Sequence, residues 1–327
     1  MKLQILVPQY KETDEVIKPL LDSIALQQTI DLDEVGVIIV NDGSDVKLTQ
    51  EFLDSYPFEI KYIQNEHAGV SATRQKALDL ATADYVMFCD ADDMFYNMCG
   101  LWIIFREIDN GGFDSLVSVF IEESKLPNGE HTFINREQDS TFVHGKVHRR
   151  KYLVKQNIRW NPDLTIHEDS YFNVLCQKCS RNVKYCPTPF YLWKWRDESV
   201  CRSDFKYILK TYNNMLDSNT ALVNELIRRN MQQDAQFYAT SMIYDAYFTM
   251  NKDEWINQEN KEYRDNTEKR FALYYKTFKH LFDAVPMQAK GMILQGLRNR
   301  FYMEGMFLET VTFETWIKHI TELGDAE

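Results

Sequence analysis

The chain has 327 residues, 44% hydrophobic and 13% aromatic, which is about two domains at ~150 residues each and excludes a disordered, fibrous or miniature protein. No apolar run reaches the ~20 residues of a membrane span, and the start, MKLQILVPQYKE, turns charged too early for a secretory signal, so no integral membrane segment and a cytoplasmic location are expected. The formal net charge of −12 argues at first sight against a polyanionic partner, but it is uneven: residues 1–100 hold 7 Lys/Arg against 18 Asp/Glu, whereas residues 136–160 hold seven cations against two acids.

In chain order, Leu3 to Val7 is a short apolar run ended by Pro8, Val35 to Val40 is ended by Asn41-Asp42-Gly43, Ile60 to Ile63 follows, and Tyr85 to Cys89 is ended by Asp90. Between them, Glu15 to Gln27 and Ser71 to Ala81 repeat apolar residues at three and four, the helical spacing. Alternation of strand and helix implies an α/β fold with a mostly parallel sheet covered on both faces, which binds ligands at the carboxyl ends of its strands. From Ser203 to Val285 there is no Gly and no Pro, and helical spacing continues through Gln288–Phe301 and Phe313–Leu323. The expected division is a ligand-binding α/β domain over 1–202 and an all-helical region over 203–327, which either binds an acceptor or assembles a homo-oligomer.

Six cysteines are too few for a disulfide scaffold of this size, and Cys176-x-x-Cys179 lacks partners at zinc-module spacing, so the cysteines are expected to pack. The acids after the fourth strand are more informative. Asp90 and Asp92 are separated by Ala91, so both face one point where strand geometry persists, and a divalent cation relieves their repulsion. Asp93 is expected to cap the next helix.

Five ordered pieces carry a family resemblance: Leu6-Val7-Pro8-Gln9-Tyr10, Val40-Asn41-Asp42-Gly43-Ser44, Gly69-Val70-Ser71-Ala72-Thr73-Arg74, Phe88-Cys89-Asp90-Ala91-Asp92-Asp93 and His167-Glu168-Asp169-Ser170-Tyr171-Phe172. Over roughly residues 1–200 the chain resembles the family 2 nucleotide-sugar glycosyltransferases of the GT-A fold. The resemblance implies a donor pocket of Pro8, Tyr10, Glu12, Asp42, Asn65, Arg74, Asp90 and Ala91, with Asp42 accepting from the base and Asp90 on the ribose side. It makes Asp92 the direct ligand of Mn or Mg, and Asp169, beside Glu168, the general base of an inverting enzyme. Tyr191 to Ser199 is similar to the family's loop over the diphosphate, which gives Arg196 a phosphate-clamp role and adds Ser199 to the donor side; Trp193 and Trp195 line the acceptor site or pack the loop.

The chemistry asks for the same parts: charge developing on a diphosphate leaving group, and a carboxylate across the sugar that takes the acceptor's proton. Three features depart from the family pattern: Glu12, His167 where Gly is usual, and Gln75 where Asn is usual. A late histidine that serves some members as a metal ligand has no counterpart, since only His280 and His319 follow His167. The expected function is transfer of a sugar from a nucleotide, in this family most often UDP, to a hydroxyl on a polysaccharide, cell-wall polymer or other macromolecule. The alternatives are transfer to hydroxylated DNA bases and a catalytically silent nucleotide-sugar-binding protein. A nucleotidyltransferase would want a Gly-rich loop after the first strand, where Pro8 to Glu12 has no glycine.

Overall fold

The computed structural model describes residues 1–126, 128–137, 139–197, 207–257, 259–303, 305 and 311–325. Its chain divides into two units, Met1–Ser203 and Asp204–Glu327.

The first unit opens with β1 (Leu3–Gln9), α1 (Asp14–Ala25), β2 (Val35–Asp42), α2 (Gln50–Asp54), β3 (Glu59–Asn65), α3 (Val70–Leu80) and β4 (Tyr85–Phe88). Strands β3, β2, β1 and β4 lie side by side, all parallel. Every residue of β2 is buried, as a continuous apolar run covered on both faces requires. Gln4 and Gln9 are the polar residues of β1, and both burials are compensated: the Gln4 side-chain oxygen accepts the Thr82 and Ala83 amides at 2.6 and 2.9 Å, and the Gln9 side-chain amide donates to the Glu12 and Val46 carbonyls at 2.8 and 3.3 Å.

Beyond β4 the pairing changes. The chain continues through β5 (Met94–Phe95), α4 (Gly100–Asp109), β6 (Ser115–Lys125), β7 (His131–Arg136), β8 (Lys146–Arg149), α5 (Arg150–Lys155), α6 (Glu168–Lys178) and β9 (Val183–Trp193). Strand β8 joins β4 antiparallel, and the order runs β3-β2-β1-β4-β8-β6-β9-β5 with β7 on β6. The sheet is therefore mixed: parallel in its first half, and with antiparallel pairs β4–β8, β6–β8, β6–β7 and β5–β9 in its second. Only the first half was written in strand–helix alternation.

The carboxyl ends of β1, β2 and β4 carry the polar loops. The turn after β2 is set by Gly43, whose φ of +72° is the left-handed region and whose absent Cβ would stand 2.4 Å from the His67 backbone nitrogen. Asp93 does not cap a helix. The next helix starts at Gly100 after Cys99, and Asp93 is 0% exposed in the interior, where Tyr191 and the Lys194 amide hold it. Cys176 packs inside α6 and Cys179 follows its end half-buried, both as free thiols.

The second unit consists of α7 (Tyr207–Arg228), α8 (Gln232–Met250), α9 (Asp253–Ile256), α10 (Lys261–Ala284), α11 (Met287–Met303) and α12 (Phe313–Asp325). Its core gathers Met242, Tyr247, Phe271, Tyr274, Phe278 and Trp316, all buried. No described helix is long and apolar enough to cross a membrane.

Gly43→Ala is expected to destabilise the first unit by about 1–3 kcal/mol, because both the left-handed φ and the clash with His67 must be absorbed. Urea unfolding followed by tryptophan fluorescence measures it; an unchanged midpoint would contradict the account of this turn.

Candidate active site

The site is organised around a buried cation. Arg74 lies on α3, 5% exposed, and donates from Nη2 to Asp90 Oδ1 and from Nη1 to Glu168 Oε1, each at 2.7 Å. Its guanidinium also stands 4.9 Å over the ring of Trp160, which stacks at 4.1 Å on Phe172 of α6. Burial works against the charge, but Asp90 and Glu168 more than offset it and raise the guanidinium further above its ordinary value. One side chain thus ties the carboxyl end of β4 to the first turn of α6. Asp90 is affected reciprocally: burial pushes its carboxyl up, the Arg74 charge pulls it down, and the net position is below the ordinary carboxylate range.

Asp169 is next to this pair with the opposite balance. Burial, then the Glu168 charge, raise its carboxyl to about 7, while Arg74 and the Ser170 amide, 2.8 Å from Oδ1, pull the other way. Glu168 holds Arg74 directly, and Asp169, with its carboxyl raised, can exchange a proton near neutrality. The helix begins from His167 in the left-handed region at φ +63°, which accounts physically for a glycine being usual there. Ser71 Oγ donates to Leu164 O at 2.6 Å and the Trp160 amide donates to Gln75 Oε1 at 2.9 Å, so α3 also fixes the loop leading into α6. Gln75 therefore ties that loop to α3.

After β4, Ala91 is buried while Asp90 and Asp92 each keep 31% side-chain exposure. Asp92 accepts from Arg196 Nη1 at 2.9 Å, and Glu12 lies 3.9 Å from the same atom. Burial first, and Asp92 further down, raise the Glu12 carboxyl against the pull of the Tyr10 amide. Among the described residues, Asp90, Asp93 and His144 bring ligand atoms within 4.8 Å of one another, a set that can hold a divalent cation. His144 comes from the turn before β8, 3% exposed, with Nδ1 3.6 Å from Asp93 Oδ2. Both Asp93 oxygens already accept protein donors, Tyr191 Oη–H at 2.6 Å and the Lys194 amide at 2.9 Å. Asp90 and Asp92 are the carboxylates with accessible surface.

On the nucleotide side, Asp42 is 5% exposed and accepts the Ala68 and Gly69 amides at 2.8 and 3.0 Å. His67 Nδ1 lies 3.0 Å from the Asp42 carboxylate, and its ring stacks on Tyr10 with centroids 5.1 Å apart. Tyr10 is 45% exposed and Pro8 is half-buried at the end of β1. Asn65 ends β3 in register with Asp42. Ser199 lies outside the described residues.

Two residues at this site escaped sequence reasoning. His67 sits in a loop between the ordered motif pieces, and His144 lies in the basic stretch before β8, away from all of them. The signal for each was a lone histidine within a few residues of a strand end, too weak without the topology. The basic stretch 136–160 does not collect into one surface: Lys146 is buried, Arg136 pairs with Glu122, Arg149 and Arg150 bond Tyr85 and the Ala83 carbonyl, and Arg159 pairs with Asp79. Trp193 packs on His144 and Phe142 at 4.8 and 5.1 Å.

A curled mixed sheet with acidic strand ends, followed by several helices, is the GT-A architecture. TarS 1–349 of S. aureus in complex with UDP superposes with a TM-score of 0.66 at 18% identity, covering 94% of this chain and 93% of that one. Its complex with UDP-GlcNAc gives 0.58 at 20%, covering 91% and 92%. The model of glycosyl transferase family 2 matches residues 4–168, and the chain belongs to that family. The uncharacterized glycosyltransferase YibD of Escherichia coli is 32% identical over 98 residues, 29% of this chain and 27% of that protein. The teichoic acid poly(glycerol phosphate) polymerase of Staphylococcus epidermidis is 27% identical over 255 residues, 69% of this chain and 34% of that protein. The matched stretch is thus about a quarter of the first relative's length and a third of the second's.

Arg74→Met is expected to cost about 3–5 kcal/mol at pH 7, since Asp90 and Glu168 then face each other without a counter-ion. Arg74 holds the folded Asp90 carboxyl below its unfolded value, so the stability it provides is present at neutral pH and lost on acidification. The deficit of the variant should therefore shrink below about pH 4. Urea unfolding at pH 7 and pH 4 measures it; equal deficits at both would contradict the ion-pair account.

Proposed function

We propose that the protein is an inverting, metal-dependent glycosyltransferase that moves a sugar from UDP to a hydroxyl of a cell-wall polymer. The observation that carries the catalytic part is the buried Asp169, raised to about 7, next in sequence to the Glu168 that Arg74 ties to Asp90 at the end of β4.

The donor lies along the strand ends. Tyr10 and His67 flank the base, Asp42 accepts a hydrogen bond from it while fixing the 67–69 loop, and Pro8, Glu12 and Asn65 shape the pocket. Asp90, held by Arg74, faces the ribose. A bound divalent cation, Mn or Mg, would be held by Asp92 with Asp90 beside it and would supply Lewis-acid stabilisation of the diphosphate leaving group. Asp93 and His144 support that strand end from below. Arg196, paired with Asp92, exchanges part of that contact for diphosphate oxygens. The acceptor hydroxyl attacks the anomeric carbon from the face opposite the diphosphate as the carbon–oxygen bond to UDP breaks and UDP departs, which inverts the configuration, and Asp169 takes the hydroxyl proton. A carboxylate of pKa near 7 is ionised often enough to act and basic enough to be useful.

The UDP donor is supported by the UDP and UDP-GlcNAc complexes of TarS, and the acceptor class by the teichoic acid polymerase among the relatives.

A screen of nucleotide-sugars tests the reading: one donor should release its sugar slowly in a Mn- or Mg-dependent way that Asp92→Asn abolishes. No release from any UDP-sugar would contradict it. Asp169→Asn should lower transfer by about 100-fold or more and keep UDP affinity. In the parent enzyme the transfer rate should rise with pH through about 7, as Asp169 ionises. The stability sign is opposite. The folded carboxyl binds its proton more tightly than the unfolded value of 3.8 allows, so stability falls as pH rises from about 4 to 7. Asp169→Asn should therefore melt higher than the parent at pH 8 and nearly equal at pH 4.

A further inference from the structure

Residues 139–146 form a strap between the two halves of the site. Asp139 Oδ1 accepts the Thr141 and Phe142 amides at 2.7 and 2.8 Å and the Thr141 hydroxyl at 3.0 Å, closing a tight turn. One end of the strap reaches α6, where Asn173, 1% exposed, donates to Thr141 O at 2.8 Å. The other end carries His144 to Asp93. Gly145, at φ +64°, lets the strap pass against β6, where a Cβ would stand 2.4 Å from Ser118 Oγ, and the Ser118 amide donates to Gly145 O at 3.0 Å.

Inside this strap is Lys146, only 1% exposed, a rare place for a lysine unless it has a task. Its Nζ donates to the Phe142 carbonyl and lies 3.7 Å from Asp139 Oδ1. Burial lowers the ammonium to about 8, and the charges of Asp139 and Asp169 work to raise it, so its field reaches the proposed base. His148, two residues further along β8, is driven by burial and then by this cation to about 3 and stays neutral. A methionine of similar length would fill the same space without the desolvation cost.

We propose that Lys146 is a positioning residue for the transfer step: by bonding the Phe142 carbonyl and facing Asp139, it fixes the strap that joins the base helix to the Asp90–Asp93–His144 group and presents a buried cation to Asp169. It touches neither donor nor acceptor. The proposal rests on the reading of Asp169 as base. The charged and titratable groups around that carboxylate are Glu168 on its own helix, Arg74 on α3, Asp90 at the end of β4 and Lys146 at the start of β8. Around Lys146 they are Asp139 of the strap, Cys176 on α6 and His148 on β8.

The test compares the full-length enzyme with Lys146→Met in transfer kinetics and in hydrogen–deuterium exchange. Transfer kcat should fall about tenfold or more, donor KM should stay within about twofold, and the acid limb of the pH profile should move to higher pH, because removing the cation disfavours ionised Asp169. Exchange should quicken in peptides from both 139–146 and α6. Should Lys146→Met fail to fold, Asp139→Asn, which keeps the shape of the turn and weakens its bonds, should give the same kcat loss and the same paired exchange change. An unmoved pH limb with parent kcat, or faster exchange confined to 139–146, would overturn the proposal. Exchange is read without turnover, so failure of Asp169 as base, seen as full activity in Asp169→Asn, is distinguishable from failure of the Lys146 role.

Discussion

The structure depends on a guanidinium taken out of water. Burying one charge costs several kcal/mol, and Arg74 is tolerated because two carboxylates meet it at 2.7 Å and an indole covers its face. Those partners come from residues 90, 160 and 168, so the ion pair forms only when α3, the end of β4 and the start of α6 have all reached their places. It is a registration device as much as a stabilising contact. Its second effect is chemical: by engaging Asp90 and Glu168 it leaves Asp169 with burial and a like charge as its main influences, and that carboxyl rises to about 7.

The excess of acid in the first hundred residues is handled in three ways. Asp42 takes backbone amides, a solution that needs no cation and fixes a loop at the same time. Asp93 is placed in the interior against a tyrosine hydroxyl, with burial and the neighbouring Asp92 and Asp90 charges holding its carboxyl up. Asp90 and Asp92 stay accessible at the strand end and pair with arginines from other segments. A net charge of −12 therefore describes buried and paired carboxylates at the strand ends as well as a surface.

Much of this was legible in order and little of it in depth. The runs at Leu3, Val35 and Tyr85 are long and apolar enough to mark buried parallel strands, and their polar terminators lie where a sheet of that kind binds ligands. The helical second unit was legible because an 83-residue stretch without Gly or Pro leaves helix as the cheapest conformation. The second half of the sheet was not: apart from the β6–β7 hairpin, its pairs β4–β8, β6–β9 and β5–β9 join strands that are far apart in sequence. Asp93 looked like a cap because capping preference is local, whereas its partners Tyr191 and Lys194 are about a hundred residues away. His144 and Lys146 were hidden for the same reason: one histidine and one lysine in a basic stretch acquire meaning only when the strap folds over β6.

The central claim is that burial, with the Glu168 charge beside it, raises the basicity of Asp169 against the pull of Arg74. It is tested most directly by following the Asp169 carboxyl carbon by NMR titration in the parent protein and in Glu168→Gln. The account predicts a midpoint near 7 in the parent and a lower one in the variant, where a like charge is gone and Arg74 is freed toward its remaining acids. An ordinary carboxylate midpoint near 4 in both proteins would contradict it.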